Sequence, residues 1–197
     1  MALTMFITFL LLAVGGRIAI QYKFTGDHGI RPINPNSTKI ALLSSILLLT
    51  SFLSVFILTL LDAIGILEPQ ITPGRIMEIA AITLSLTGIV LTIISQYQMG
   101  TAWRIGVDES EQTELVTNGI YSLIRNPIYS GVMLFGVGLL FLLPNIYMLF
   151  SILIGYLSIE LHVRYVEEPY LLRLHGPEFE NYMNKTDRYL PRFIHGA

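Results

Sequence analysis

The amino-acid sequence predicts an all-α, polytopic membrane protein with about five transmembrane helices and a cytoplasmic helical cap, and three observations carry that prediction. Hydrophobic residues make up 53% of the 197 and charged residues only 13%, against about a quarter charged in an average soluble domain. The apolar residues fall in long uncharged runs, where a soluble core would alternate them with polar ones. The polar residues, in turn, gather in two late stretches, 104–126 and 162–192.

The spans follow in chain order. A helix rising 1.5 Å per residue needs roughly 20 residues to cross about 30 Å of hydrocarbon. Residues 41–61 lie free of charge between Lys39 and Asp62, and residues 79–103 lie free of charge between Glu78 and Arg104. Both qualify unaided. Residues 1–16 are short for a span, but Arg17 can snorkel to the interface while 18–20 extend the apolar stretch. This segment lacks a basic leader and a small-residue cleavage site, so it reads as a retained first span. Residues 126–159 hold no charge at all and are too long for one crossing; Pro144-Asn145 near their middle breaks them into a hairpin of two short helices. The whole is one integral membrane domain, 1–197, with three spans in 1–99 and a second half, 100–197, that carries the hairpin and the cap.

Orientation follows from lysine and arginine. Arg17, Lys23, Arg31 and Lys39 follow the first span, Arg104 and Arg125 follow the third, and Arg164, Arg173, Lys185, Arg188 and Arg192 follow the fifth. Only Arg75 falls on the other side, so the two polar stretches face the cytoplasm. Twelve basic and fourteen acidic residues leave no electrostatic support for a nucleic-acid partner, and with no cysteine there are no disulfides, thiolate metal sites or cysteine nucleophiles.

Within the first polar stretch, Asn126 is a favoured N-cap residue and Pro127 suits the first helical position. A helix starting there offers free N–H groups and the positive end of its dipole to an anion, with Arg125 adjacent. Arg125 reads equally well as an anchor to lipid headgroups. Asp62, Asp108, Glu109, Glu111 and Glu114 read first as solvated loop residues. In the second stretch, Arg164 precedes Glu167 and Glu168 by three and four positions, so the charges share a helix face. Glu168 precedes Pro169, which predicts a bend there, and Gly176-Pro177 closes the next short helix. His162 has no companion ligands in sequence, so no metal site is expected.

The run Glu114-Leu115-Val116-Thr117-Asn118-Gly119-Ile120-Tyr121 is followed by Arg125-Asn126-Pro127-Ile128-Tyr129-Ser130-Gly131. Then come Glu167-Glu168 with Leu171, Gly176 and Tyr182, and finally Arg188-Tyr189-Leu190-Pro191. In order and spacing this half of the chain resembles the isoprenylcysteine carboxyl methyltransferase family. The resemblance implies an S-adenosylmethionine-dependent membrane enzyme that methylates the carboxylate of an isoprenylated cysteine or a similar lipophilic acceptor. It implies that Glu114, Leu115, Val116, Tyr121, Asn126, Pro127, Ile128, Tyr129, His162 and Glu167 bind the cofactor, with Gln96 a further candidate, and that Arg164 and Glu167 are catalytic. Two positions depart from the family pattern: Asn126 stands where histidine is usual, and Val163 stands where an arginine would hold the substrate carboxylate, with Arg164 one residue later. A phospholipid-amine N-methyltransferase, an NADPH-dependent sterol-type reductase and a non-enzymatic scaffold are the alternatives. The Glu167-Glu168 pair with Leu171 and Gly176 favours a methyltransferase over a reductase, and a scaffold leaves both polar clusters unexplained.

Overall fold

The computed structural model describes residues 1–31, 38–104 and 114–192; Asp108, Glu109 and Glu111 lie outside them. Among the described residues, four helices are long and apolar enough to cross a bilayer: α1 (Ala2–Thr25), α2 (Lys39–Ala63), α3 (Arg75–Ala102) and α5 (Ile146–His175). Between the last two lies the apolar α4 (Pro127–Leu142), and the chain ends in the short α6 (Pro177–Lys185). The protein is thus an all-α, multi-pass membrane protein.

Local chemistry sets the ends of these elements. Thr38 caps α2 by accepting from the Ala41 amide at 3.2 Å, and Asn145 caps α5 by accepting from the Tyr147 amide at 2.9 Å. The turn between α4 and α5 falls at Pro144-Asn145, where the sequence predicts it. The Pro144 carbonyl accepts from the Gln70 amide at 2.9 Å, which ties the loop after α2 to the hairpin tip. Large apolar side chains such as Leu11, Leu49, Ile57 and Phe150 remain exposed, as lipid-facing residues must.

Two expectations need correction. Arg17 does not snorkel: α1 runs on to Thr25 through a π turn at Leu10–Gly15, and Arg17 is buried against the end of α3. Nor does the chain bend away at Glu168. That residue keeps helical angles, φ −61° and ψ −44°, and α5 passes Pro169 through a π turn at Val163–Glu167. The wider turn makes room for the proline ring, which otherwise clashes with the preceding turn.

Small residues bring the helices together. On α3 and α4, a Cβ added at Gly88 would meet the Gly131 carbonyl and the Phe135 amide, each at 2.6 Å, so these backbones touch. Ala81, Ser85 and Thr92 continue the stripe on α3, and Gly138 answers it on α4. Such close approach is how membrane helices associate without a hydrophobic driving force. On α2 and α5 the seam is polar: Ser51 donates to the Ser151 carbonyl and Ser158 to the Ser44 carbonyl, both at 2.7 Å. Helix α1 closes the bundle with Phe6 and Phe9, the latter stacked on Phe135 at 4.5 Å between ring centres.

The length of α4 positions the site. Its 16 residues span about 24 Å, short of the ~30 Å hydrocarbon layer. The cap folds over its N-terminus, where the amides of Arg125 and Asn126 bond to the carbonyls of Asp187 and Arg188.

Candidate active site

Four chain segments meet at the N-terminus of α4. The extended segment 114–117 leads into a 3-10 turn at Gly119–Ser122. Gly119 takes φ +57°, a left-handed conformation that suits glycine, and the Ile120 amide beside it donates to Gln98 Oε1 on α3 at 2.7 Å. Tyr121 then donates to the Ser95 carbonyl on α3 at 3.2 Å, and its own carbonyl accepts from Tyr182 of α6 at 2.6 Å. One buried tyrosine therefore joins α3 to the cap. Burial raises the Tyr121 phenol well above its ordinary range, and Tyr182 is pushed up to about 12 for the same reason.

The C-terminal segment straps the cap down. The amides of Arg125 and Asn126 donate to the carbonyls of Asp187 and Arg188, each at 2.9 Å, and Ser130 donates to the Tyr189 carbonyl at 2.7 Å. Arg188 grips Glu168 through Nε at 2.8 Å and Nη2 at 2.6 Å, a bidentate pair, while Tyr189 donates to Glu160 at 2.9 Å. Hydrogen bonding to Glu168 holds the Arg188 guanidinium above its usual pKa. Arg125 donates to the Met183 and Thr186 carbonyls and reaches Glu168 at 3.3 Å. It lines the cavity while these groups hold its guanidinium in place.

These segments enclose a cavity of about 120 Å³. Of the residues expected there from sequence, Glu114, Leu115, Val116, Tyr121, Asn126 and Glu167 line it. Asn126 occupies the N-cap position of α4, yet its side chain makes no capping bond, and Pro127 fills the first turn. Tyr129 and His162 stand behind the wall and touch Glu167: the Tyr129 hydroxyl donates to Glu167 Oε1 at 2.5 Å, and His162 Nε2 lies 3.5 Å from the same oxygen. Ser44 on α2 meets His162 Nδ1 at 3.1 Å. Ile128 is half-buried beside Pro127 and outside the lining.

Two expected groups, Arg164 and Gln96, lie elsewhere, and Val163 offers no contact either. Arg164 is half exposed, pairs with Glu160 at 3.1 Å and does not share Glu167. Gln96 is buried and donates to the Ala13 carbonyl at 2.9 Å, a bond between α3 and α1. Val163 is wholly buried. Sequence reasoning missed Met99, Ala102 and Phe179 in the lining. Met99 and Ala102 flank the positive-φ Gly100 that ends the regular α-helical part of α3, and that glycine was the available signal. Phe179 lies three residues before Tyr182 on the buried face of α6, a spacing visible in the sequence.

Comparisons with known proteins bear on the family and the fold. The model of the PEMT family, phospholipid methyltransferase, matches residues 76–178, just over half of the chain. A solved structure, that of the eukaryotic intramembrane Ras methyltransferase ICMT (isoprenylcysteine carboxyl methyltransferase), has a similar fold, with a TM-score of 0.60 at 20% identity. The likeness covers 89% of this chain and 60% of that one, so this chain spans about three fifths of the length of its structural relative. No curated protein sequence matches the chain.

Proposed function

Because the chain belongs to the phospholipid methyltransferase family, we propose that it transfers a methyl group from S-adenosylmethionine to the polar head of a lipid-tailed acceptor. The observation that carries this reading is the convergence of Glu114, Leu115, Val116, Tyr121, Asn126 and Glu167 on one cavity at the start of α4. The lining suits such a donor. Glu167 matches its positive charge. Asn126, with its uncommitted amide, and the free N–H groups of the first turn of α4 match its carboxylate. Leu115, Val116, Leu171 and Phe179 offer apolar surface to its adenosine.

When bound, the donor supplies a methyl carbon activated by a positively charged sulfur. The residues of this chain then have to align the acceptor and exclude water from it. Tyr129 and His162 serve by fixing the Glu167 carboxylate, and Pro127 and Ile128 by setting the helix start. The recess at the end of α4 lets a lipid tail stay between helices while its head reaches the pocket. On the positive-inside rule that pocket faces the cytoplasm.

The first acceptor reading is the carboxylate of an isoprenylated cysteine. A carboxylate with a usual pKa of about 4 is ionised at neutral pH and needs no base. The second reading is a phospholipid amine, which must lose a proton before or during transfer. One observation favours it: Arg164 turns outward to Glu160 and Val163 is aliphatic, so neither offers a cation to a carboxylate. Glu167, which lines the cavity and has His162 3.5 Å behind it, is the group proposed to receive the amine's proton.

The test is calorimetry on the purified chain in detergent, titrating S-adenosylhomocysteine and NADPH in parallel. Saturable binding of S-adenosylhomocysteine, lost in Glu167→Ala with the fold intact, is the expected result. Binding of NADPH alone overturns the proposal in favour of a reductase.

A further inference from the structure

Among the described residues, Arg17 is a charge that the bundle buries without an ionic partner. It keeps 7% of its surface, lies in the first apolar helix, and precedes the 76–178 region that defines the family. Its contacts are all neutral: it donates to Gln21 Oε1 at 2.7 Å and to the Gly100 carbonyl, and its guanidinium sits 4.9 Å over the Trp103 ring. Its Nε–H is buried with no acceptor. Arg31, Arg125, Arg164 and Arg188 each meet a carboxylate instead. Burying a cation among neutral groups is costly, and ionisable residues kept inside a membrane bundle mark functional sites by default.

Its position gives the charge a use. Gly100, which accepts from Arg17, sits between Met99 and Ala102, and both line the cavity. Arg17 therefore stands behind the part of the wall that the end of α3 contributes, at the α1–α3 seam. The carbonyl at the end of α3 stabilises a cation there in part, through the negative end of the helix dipole. Nη2 carries both hydrogen bonds, to Gln21 and to Gly100, and the buried Nε–H is left without an acceptor.

We propose that Arg17 is the receptor for the anionic group of the lipid acceptor, a carboxylate or a phosphodiester that enters at the α1–α3 seam. This rests on the methyl-transfer reading of the pocket, and it assigns to α1 the acceptor recognition that neither Val163 nor Arg164 provides. Trp103 and Gln21 hold the guanidinium in place; Gln21 is itself fixed by a 3.2 Å bond to the Thr101 carbonyl.

The experiment compares wild type with Arg17→Gln in nanodiscs of neutral lipid. Three probes are titrated: N-acetyl-S-farnesylcysteine, its uncharged methyl ester, and a short-chain phosphatidylethanolamine. S-adenosylhomocysteine is titrated into the same samples. The expected result is a tenfold or greater loss of affinity in Arg17→Gln for one anionic probe, with the ester and S-adenosylhomocysteine unchanged. Which probe is lost identifies the anion as carboxylate or phosphate. Equal affinity of wild type and variant for both anionic probes overturns the proposal, as does an equal loss for the uncharged ester. If Arg17→Gln does not fold, Arg17→Lys keeps the charge and loses the Nε–H donor, and the same selective loss is required of it. Failure of wild type to bind S-adenosylhomocysteine would sink the methyl-transfer reading and leave the anionic-probe comparison to judge Arg17 by itself.

Discussion

Replacing Arg188 with methionine removes the grip on the C-terminal strap while keeping an apolar stem of similar length. Glu168 then loses its bonds at 2.8 and 2.6 Å and retains only Arg125 at 3.3 Å. Glu160 loses a contact at 3.3 Å but keeps Tyr189 at 2.9 Å and Arg164 at 3.1 Å, so its cost is small. Breaking a buried ion pair costs roughly 3–5 kcal/mol, and exposed pairs contribute about 1 kcal/mol or less. The Glu168 side chain is 12% exposed and that of Arg188 25%, which puts this pair between those limits. A loss of about 2–3 kcal/mol is expected, or roughly 30- to 150-fold in an opening equilibrium. The strap opens where it is tied, at the amides of Arg125 and Asn126. Hydrogen exchange at those two amides should quicken by that factor, while amides in the middle of α3 stay protected. Unchanged exchange would refute the reasoning, because it would mean that water replaces Arg188 at no cost and that the backbone bonds alone hold the strap.

Two further expectations concern the bundle and the cap. Gly88→Ala places a Cβ 2.6 Å from backbone atoms of α4, and since neither helix can yield locally, overpacking should cost about 1–3 kcal/mol; thermal unfolding in detergent should show the fall, and an unchanged midpoint would mean that the α3–α4 contact is looser than drawn. The Tyr182 phenol, raised to about 12 by burial, contributes stability that is complete below the free-tyrosine value of about 10 and is lost as pH climbs through the folded value. Thermal midpoints should therefore drop across that alkaline window in wild type and drop less in Tyr182→Phe; equal slopes would assign the alkaline loss to other groups.

The sequence made some of this architecture plain and hid the rest for physical reasons. Uncharged runs revealed the bilayer crossings because lipid tolerates little else, and Pro144-Asn145 marked the hairpin because both residues disfavour helix interiors. The pocket walls at Glu114–Val116 and Tyr121 were legible only through family resemblance, since their roles depend on α3 and α6 lying beside them. The continuity of α5 past Pro169 was not legible: local propensity disfavours helix before proline, and only a π turn, stabilised by tertiary packing, reverses it. The partners of Glu168 were also out of reach, because helical spacing suggests Arg164 whereas the fold supplies Arg188 from twenty residues away.

Arg17 shows most clearly where local reading stops. Hydropathy treats an arginine near the end of an apolar run as a snorkelling anchor, and for an isolated helix that is the cheaper state. In the bundle the comparison is different, because the end of α3 presents the Gly100 carbonyl and the Trp103 ring to the same face of α1. These neutral partners offset part of the desolvation cost and leave a net positive charge beside the cavity. A charge so placed is stabilised further by an oxyanion that arrives with a substrate, so the energy withheld in folding is available for binding. In the proposed reading the first helix, which lies outside the residues 76–178 that the family model matches, takes part in acceptor choice, while Glu167 and the start of α4 hold the donor.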